Sequence, residues 1–493
     1  MKKILLVFFL VPFINFSQVQ IGQDIDGEAS GDNSGFSISL SSDGSIVAIG
    51  ASGNDGNGYG SGHVRVYENQ NGSWVQLGQD IDGEAAFDES VNVSLSNDGS
   101  IVAIGAPGND GNGSSSGHVR VYENQNGSWV QVGQDIDGEA IFNLSGYNVS
   151  LSNDGSIVAI GAPGNDGNGT DSGHVRVYEN QNGSWVQLGQ DIDGEAAFDE
   201  SGKSISLSSD GSIVAIGAPG NDGNVSGSGH VRVYENQNGS WVQVGQDIDG
   251  EAINDESGYS VSLSSDGSIV AIGAPYNVGN DISFGHVRVY ENQNGSWVQV
   301  GQDIDGEAPG DASGYSVSLS SDGSIIAIGA VGNIGNGNDE TENHYGHVRM
   351  YKNVSGTWMQ LGQDIDGEAH ADYSGLSVSL SSDGSNVAIG APFNDGNGVS
   401  SGHVRVYDLG AELSVESFKN DFFNVFVNEN TEKIEIKLHE NQILNSVNLY
   451  TIDGKYLYSE KSLELNTNSL SRGIYVIEIE TNKGKSAKKI IIK

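Results

Sequence analysis

The stretch Gly22–Leu77, GQDIDGEASGDNSGFSISLSSDGSIVAIGASGNDGNGYGSGHVRVYENQNGSWVQL, is the unit from which most of this chain is built. Its opening GQDIDGE recurs six times, at successive spacings of 56, 55, 56, 56, 56 and 61 residues. The recurrences begin at Gly78, Gly133, Gly189, Gly245, Gly301 and Gly362. Seven copies at a nearly fixed period indicate a repeat architecture, in which every copy folds as one unit.

Four short segments of each copy have the residue pattern of β-strands, alternating polar and apolar or running continuously apolar. In the first copy they are Ser37–Ser41, Ile46–Ala51, Gly62–Glu68 and Trp74–Ile81. Asp43-Gly44 joins the first two segments and Asn71-Gly72 joins the last two. Such dipeptides are typical of tight hairpin turns, whose central residues need positive φ. Each copy is therefore predicted to be a four-stranded antiparallel sheet, the size of one propeller blade.

The phase of the repeat predicts a closed ring. The seventh copy stops after its third strand, Gly402–Asp408, and Val19–Ile25 at the other end of the chain aligns with Val75–Ile81. An N-terminal strand that completes the last blade removes an exposed sheet edge, whereas an open solenoid would need capping repeats. We therefore predict an all-β fold, with a seven-bladed β-propeller over residues 18–408 that is closed by an N-terminal strand.

The two ends of the chain differ from the repeats. In residues 1–17, Lys2-Lys3 is followed by an apolar run that is too short to span a membrane. This is the pattern of a secretory signal peptide. Residues 409–420 are predicted to be a linker, and residues 421–493 alternate as a small β-sandwich would. The chain has no cysteine, which excludes disulfides, a lipoprotein anchor and a cysteine-ligated metal.

The charge of the chain restricts its partners. The net charge is −43, from 65 acidic residues against 22 Lys and Arg. Such a surface repels nucleic acid and anionic membranes, so neither is predicted as a partner, and it attracts cations and basic proteins. The alternative is that the acidity only maintains solubility in a saline habitat.

Differences among the seven copies are concentrated in two loops, which in a four-stranded blade emerge on the same face of the disc. Loops on a rigid scaffold commonly carry recognition, so this variable face is the predicted ligand-binding surface. Its acidic residues in the first copy are Asp24, Asp26, Glu28, Asp32 and Asp55. The long loop of the sixth copy adds Glu340, Glu342, His344 and Tyr345.

A calcium site is one hypothesis for these acids. Asp24, Asp26 and Glu28 alternate along an extended segment, so their carboxylates would point to one side and converge on a hard cation, as would the equivalent residues of the other copies. The alternative is that they are solvated turn residues or acceptors for backbone N–H groups. No other cofactor is predicted.

Other side chains that recur in every copy are predicted to be structural. His63, Arg65 and Tyr67 share one face of the third strand, and the six tryptophans occupy one repeat position. Both patterns favour packing and hydrogen bonding between blades. No nucleophile–base pair and no phosphate-cradling glycine loop stands out. The sequence therefore predicts a protein that is not an enzyme.

Three motifs of the fifth copy carry a family resemblance: GYSVSL at Gly258–Leu263, AIGAP at Ala271–Pro275 and GHVRVY at Gly285–Tyr290. The copies resemble the FG-GAP repeat, the blade of integrin-α-like propellers and of many bacterial surface proteins. Two copies depart from the GAP element, with Gly50-Ala51-Ser52 and Gly329-Ala330-Val331. The family often holds calcium in the first hairpin, but Ser41–Ser45 is too short to supply six to eight oxygens.

The tail resembles a second family. Its motifs are Ile452–Tyr456 around DGK, Leu470–Tyr475, and the basic final strand Lys488–Lys493. They are similar to the C-terminal (Por) sorting domain of the type IX secretion system of Bacteroidota. The resemblance implies contact with the type IX machinery, passage through the periplasm and outer membrane, and then release or surface attachment. The alternative is a stalk or an accessory binding domain.

Together these features predict a secreted or cell-surface binding protein, with a role in adhesion, that recognises an extracellular glycan or protein through its acidic variable face. No transmembrane segment is predicted in the mature chain. One alternative is a polysaccharide-active enzyme or its auxiliary carbohydrate-binding module. Another is a structural surface-layer component, which would self-associate without a specific ligand.

Overall fold

A computed structural model describes residues 18–278, 283–334, 344–410, 423–428, 433–438, 443–451, 456–467, 470, 473–481 and 484–492. These residues form strands and turns without a helix, which confirms the all-β prediction. None of them forms a helix long and apolar enough to cross a membrane. The chain divides into two compact units, Met1–Gly410 and Ala411–Lys493. The predicted signal peptide and residues 411–420 of the predicted linker lie outside the described residues.

The first unit consists of seven antiparallel sheets, numbered here as blades 1 to 7 in chain order. The first strands are Ser34–Leu40, Asn92–Leu95, Asn148–Leu151, Ser204–Leu207, Ser260–Leu263, Ser313–Leu319 and Ser377–Leu380. The second strands are Ile46–Ala51, Ile101–Ala106, Ile157–Ala162, Ile213–Ala218, Ile269–Ala274, Ile325–Ala330 and Asn386–Ala391. The third strands are His63–Asn69, His118–Asn124, His174–Asn180, His230–Asn236, His286–Asn292, His347–Val354 and His403–Asp408.

The fourth strand is interrupted in most blades, where the sequence pattern had predicted one continuous strand. In blades 1 to 5 its two pieces are Trp74–Gln76 with Ile81–Asp82, Trp129–Gln131 with Ile136–Asp137, Trp185–Gln187 with Ile192–Asp193, Trp241–Gln243 with Ile248–Asp249, and Trp297–Gln299 with Ile304–Asp305. A glycine between the pieces, such as Gly78 with φ of 81°, turns the backbone out of the ladder. Blade 6 keeps one strand, Thr357–Asp366, with a register shift instead.

The N-terminal strand closes the ring as predicted. Its two pieces, Val19–Gln20 and Ile25–Asp26, pair antiparallel with the third strand of blade 7. Val19 faces Asp408 and Ile25 faces Val404 in that ladder. Blade 7 is therefore built from both ends of the propeller, which confirms a seven-bladed ring.

Neighbouring blades are bonded to one another around the centre. The first strands of successive blades contact each other, and those of blades 7 and 1 complete the circle. In each blade a serine hydroxyl accepts the backbone N–H of a leucine from the next blade; Leu95 N and Ser39 Oγ, for example, are 2.9 Å apart. A second circle of seven backbone hydrogen bonds runs through Ser42, Asn97, Asn153, Ser209, Ser265, Ser321 and Ser382 and returns to Ser42.

A glycine of the second strand sets how closely two blades approach. A Cβ atom on Gly161 would overlap the carbonyl oxygen of Gly202 in the next blade, although the backbone of Gly161 itself is not strained. The same overlap with the following blade occurs at Gly50, Gly105, Gly217, Gly273, Gly329 and Gly390. The glycine of the GAP element is therefore required by packing, because only the smallest residue fits between the strands.

The recurring tryptophans and arginines join blades, as predicted. The indole Nε1–H of Trp74 donates to the carbonyl of Ile21 at 2.8 Å, and Nη2 of Arg65 donates to the carbonyl of Asp26 at 2.8 Å. Both acceptors belong to the N-terminal strand of blade 7. Each arginine also lies 5.5 to 5.6 Å from the ring of the tyrosine two residues later. The prediction of an interblade role for these side chains is confirmed.

The second unit contains two sheets. One consists of Phe423–Asn428, Lys433–Leu438 and Glu464–Asn466, and the other of Tyr456–Glu460, Leu444–Thr451, Gly473–Thr481 and Gly484–Ile492. Ile434 and Leu465 of the first sheet share a buried core with Val447, Leu449 and Ile477 of the second. Two sheets around one core form a small β-sandwich, as predicted.

Candidate functional site

The two variable loops of each blade lie together on one face of the propeller. The loop between the second and third strands is bonded to the loop that enters the first strand; Gly53 N donates to Asp32 O at 3.0 Å, and Phe87 N donates to Tyr59 O at 2.9 Å. The two hairpins meet at the opposite end, where Asn69 N donates to Ser45 O at 2.8 Å. The recurring hairpins and the variable loops therefore occupy opposite faces, as predicted.

One repeat position surrounds the mouth of the central channel on the variable face. It follows the glycine that opens the first strand. Six blades have a large side chain there, and its identity varies from blade to blade. These are Phe36, Tyr147, Lys203, Tyr259, Tyr315 and Leu376. The position therefore breaks the sevenfold repetition at the point where a ligand would enter.

Blade 2 leaves a gap in this circle of side chains. Its copy is one residue short, and Val91 takes the place of the strand-opening glycine. Val91 N donates to Gly105 O at 3.1 Å, and the equivalent bond in blade 3 runs from Gly146 N to Gly161 O at 3.0 Å. The side chain that would follow is missing. The deletion accounts for the single spacing of 55 in the sequence.

A cavity of about 750 Å³ occupies the channel mouth and extends into this gap. Its wall combines the mouth side chains with Tyr59, Phe87 and Glu89 from the neighbouring loops, and with the amides of Asn92 and Asn148. A cavity of this size with aromatic walls and a few polar groups is typical of a small-molecule or oligosaccharide site. We call it the mouth pocket.

Aromatic rings in the pocket wall are packed against each other and against Tyr276 beside it. Tyr259 lies 4.8 Å from Tyr315 and 6.0 Å from Tyr276, measured between ring centroids. Tyr59 and Phe87 form an edge-to-face pair at 5.5 Å. Burial, and then the neighbouring Tyr315, raise the pKa of the Tyr259 phenol.

Lys203 brings a positive charge to the pocket. Its Nζ lies 2.6 Å from Glu200 Oε2 and 5.5 Å from the ring centroid of Tyr259. Burial alone would lower the pKa of Lys203, but the hydrogen bond and charge of Glu200 outweigh burial and raise it. Lys203 is one of only two lysines in residues 18–410, and the wall of the mouth pocket also holds the acidic residues Asp55 and Glu89.

Two of the acids predicted to bind ligand have different surroundings. Asp55 is exposed, lines the mouth pocket and accepts the N–H of Gly60 at 2.7 Å. Asp32 is buried, and its carboxylate accepts the N–H groups of Glu28 and Ala29 at 3.0 and 2.8 Å. Asp32 thus holds the loop in shape.

The acids of one DIDGE motif are divided between two clusters. Asp24 groups with Glu368 and His403, whereas Glu28 groups with His63 and Asp80. Glu28 also lies 3.5 Å from Nη1 of Arg65. Most of Asp26 is exposed. The partial burial of its carboxyl group, together with the charge of Asp24, raises the pKa of that group. Asp24 and Glu28 therefore belong to different side-chain clusters, each with a buried histidine.

The remaining predicted residues lie in the long loop of blade 6. Glu340 and Glu342 are outside the described residues. His344 Nδ1 is 2.8 Å from the carbonyl oxygen of Gly332, and its ring centroid is 5.5 Å from that of Tyr373. Tyr345 is half-buried, and its carbonyl accepts the N–H of Ser374 at 3.0 Å.

Calcium is expected to leave the stability of the propeller unchanged. Each described cluster offers two carboxylates and one imidazole nitrogen, whereas calcium takes six to eight oxygen ligands. Thermal unfolding of the full chain in millimolar calcium chloride, and then with chelator, measures this. Sodium chloride at matched ionic strength is the control. A rise in melting temperature with calcium alone would contradict this expectation and support the calcium hypothesis for the DIDGE acids.

Sequence reasoning did not identify the mouth pocket. Tyr259 belongs to the GYSVSL motif that carries the family resemblance, and Phe36 lies between the predicted variable loop and the predicted first strand, which begins at Ser37. Two signals were present: the variability of that one position within a recurring strand, and the copy of 55 residues. Both gain meaning only once the seven first strands surround a common channel.

Comparisons with known proteins identify the tail. The family model for the secretion system C-terminal sorting domain matches residues 424–493. This match confirms the predicted sorting domain and indicates export through the type IX secretion system to the cell surface or the extracellular space. The resemblance of the propeller copies to FG-GAP repeats stays a prediction. No curated protein matches the chain significantly.

Three solved structures are similar to the chain in fold. A hydrazine synthase of Kuenenia stuttgartiensis is 14% identical, with a TM-score of 0.48 over 75% of this chain and 94% of its own. A candidate 6-phosphogluconolactonase of Bacteroides uniformis is 14% identical, with a TM-score of 0.47 over 68% of this chain and 86% of its own. The periplasmic gluconolactonase of Pseudomonas aeruginosa is 16% identical, with a TM-score of 0.46 over the same shares.

These similarities correct one prediction. The lack of a recognisable catalytic constellation led to the prediction that the chain is not an enzyme, yet two of the similar structures carry lactonase names. That conclusion from the sequence is therefore corrected: missing a recognisable constellation does not exclude an enzyme. The fold by itself assigns no particular activity to this chain.

Proposed function

We propose that this protein is an exported glycan-binding protein that holds an uncharged sugar in the mouth pocket. The observation that carries the proposal is the pocket itself, where the repeat is broken by aromatic side chains and by a one-residue gap. Export to the cell surface or beyond places the pocket where extracellular glycans occur. Binding there would serve adhesion to a glycan-coated surface.

The pocket chemistry favours a neutral sugar over other small ligands. Sugar rings present C–H faces that pack on aromatic rings such as Tyr147 and Tyr259. Their hydroxyl groups match the amides of Asn92 and Asn148, which donate and accept hydrogen bonds, and the carboxylate of Glu89, which accepts them. Anionic ligands are disfavoured, because Lys203 is already paired with Glu200 and the propeller carries a large negative charge.

Replacing Tyr147 with alanine is expected to weaken sugar binding about tenfold or more, because an aromatic face in a desolvated pocket contributes about 1.4 kcal/mol or more. Tyr147 is 37% exposed, so its loss should disturb the fold little. Isothermal titration calorimetry of the full chain with neutral hexasaccharides of glucose, mannose, xylose and N-acetylglucosamine measures the effect.

The matched control for this experiment is Val130→Ala, which truncates an apolar side chain that is 41% exposed on a fourth strand. This variant should bind as the parent chain does. Failure of every sugar in the panel to bind, or equal affinity of the Tyr147→Ala variant and the parent chain, would contradict the proposed function.

A further inference from the structure

Three phenylalanines occupy an unfavourable backbone conformation on the variable face. Phe87, Phe142 and Phe198 hold the same position in successive loops, with φ of 66°, 61° and 68°. The equivalent positions of the other blades are Gly31, Asn254, Gly310 and Ala371. Glycine and asparagine suit positive φ, whereas a bulky side chain there is a strained outlier.

The fold does not offset this strain by burying the rings. The three side chains are 62%, 59% and 63% exposed. A Cβ built on Gly31 or on Gly310 meets no other atom within 4 Å, so the position faces open space. Large apolar residues that are both strained and exposed indicate contact with a partner outside the chain, because strain of this kind persists at functional sites.

Duplication explains only part of the pattern. The loops around Phe87 and Phe198 are identical, AFDES, and share a copying history. The loop around Phe142 reads IFNLS, so it differs from the other two at three of five positions and keeps the phenylalanine. The phenylalanine side chain is thus present in two different loop sequences.

The three loops enter blades 2, 3 and 4 in succession, and the first of them lines the mouth pocket. Phe87 lines the pocket and packs edge-to-face with Tyr59, and the loops of Phe142 and Phe198 follow it in order around the disc. Glu89 and Glu200 stand two residues after Phe87 and Phe198. Acids beside apolar rings would repel an anionic polymer, whereas sugar hydroxyls can donate hydrogen bonds to them.

We propose that Phe87, Phe142 and Phe198 form an extended subsite that binds further sugars of a neutral polysaccharide whose end, or one of whose residues, occupies the mouth pocket. This inference rests on the proposed function and adds to it that the ligand is a polymer. Affinity should therefore rise with chain length, because each additional sugar gains an aromatic surface.

The test is a calorimetric titration of the full chain with a length series, from disaccharide to octasaccharide, of the neutral β-1,4-linked glucose, mannose and N-acetylglucosamine polymers. The expected result is an octasaccharide affinity about tenfold or more above that of the disaccharide. The double variant Phe142→Asn, Phe198→Asn should lose this gain and bind the disaccharide as before. The matched control Val186→Asn, at a valine 42% exposed on a fourth strand, should keep the gain.

The outcomes separate the inference from the proposed function. Equal affinity for short and long sugars overturns the extended subsite and leaves the mouth pocket standing. No binding at any length contradicts both. Binding of poly-lysine that the double variant loses, without any effect of sugar length, overturns the inference in favour of a basic protein partner.

Stability provides an independent readout. Asn254 shows that asparagine holds this position, with φ of 60°. The double variant should therefore melt at the temperature of the parent chain or above it, because strain is relieved and no buried contact is lost. A marked drop in melting temperature would show that the rings serve the fold, and would overturn the inference.

Discussion

Replacing Gly161 with alanine is expected to destabilise the propeller by about 3 kcal/mol or more, the upper end of what overpacking costs in a well-packed interior. The new methyl group would overlap the carbonyl oxygen of Gly202. The methyl group is fixed directly to the Gly161 backbone and the oxygen belongs to the Gly202 backbone, and both segments are bonded into a closed ring. Neither blade can move aside without breaking hydrogen bonds to a third, so the strain has few ways to relax.

Calorimetric melting measures this effect, and Gly183→Ala provides the comparison. Gly183 lies in a hairpin with φ of 85°, and a Cβ there meets no other atom within 4 Å. Alanine at Gly183 should cost only the backbone strain of a left-handed residue, about 1 to 2 kcal/mol. Equal losses in the two variants would show that close approach between blades is not what the Gly161 position requires.

Removing residues 18–26 is expected to abolish cooperative unfolding of the propeller, or to lower its stability by at least about 5 kcal/mol. The deletion takes away the buried side chain of Ile25, whose burial contributes about 1.5 to 3 kcal/mol. It also removes the ladder to blade 7, in which Ile21 N donates to Val406 O at 2.7 Å, and each such bond contributes about 1 kcal/mol.

Two buried donors would also be left without acceptors. The indole of Trp74 bonds the carbonyl of Ile21, and Arg65 bonds the carbonyl of Asp26. An unsatisfied buried donor costs about 1 to 3 kcal/mol. Circular dichroism and calorimetry measure the outcome, and a chain that lacks residues 411–493 is the control, because that tail forms a separate compact unit. Unchanged melting after deletion of residues 18–26 would contradict closure by this strand.

The sequence by itself determined the architecture of this protein. The number of blades follows from the count of GQDIDGE copies, and closure follows from the phase of the repeat. The hairpin at Asn71-Gly72 followed from its dipeptide, since both residues have positive φ, of 56° and 87°. The Asp43-Gly44 turn differs: only Gly44 has positive φ, and the Asp43 carboxylate accepts the N–H and hydroxyl of Ser45. These features are local, or periodic along the chain, and therefore visible in it.

Only the tertiary structure decided which side chains meet. Asp24 and Glu28 belong to one short motif, yet the crossover between blades places them beside different third strands, next to His403 and His63. The mouth pocket likewise depends on a single missing residue in blade 2, which has consequences only when seven strands surround one channel. Contacts between residues of different copies are set by the angle and spacing of whole blades, and no pattern within one copy contains that information.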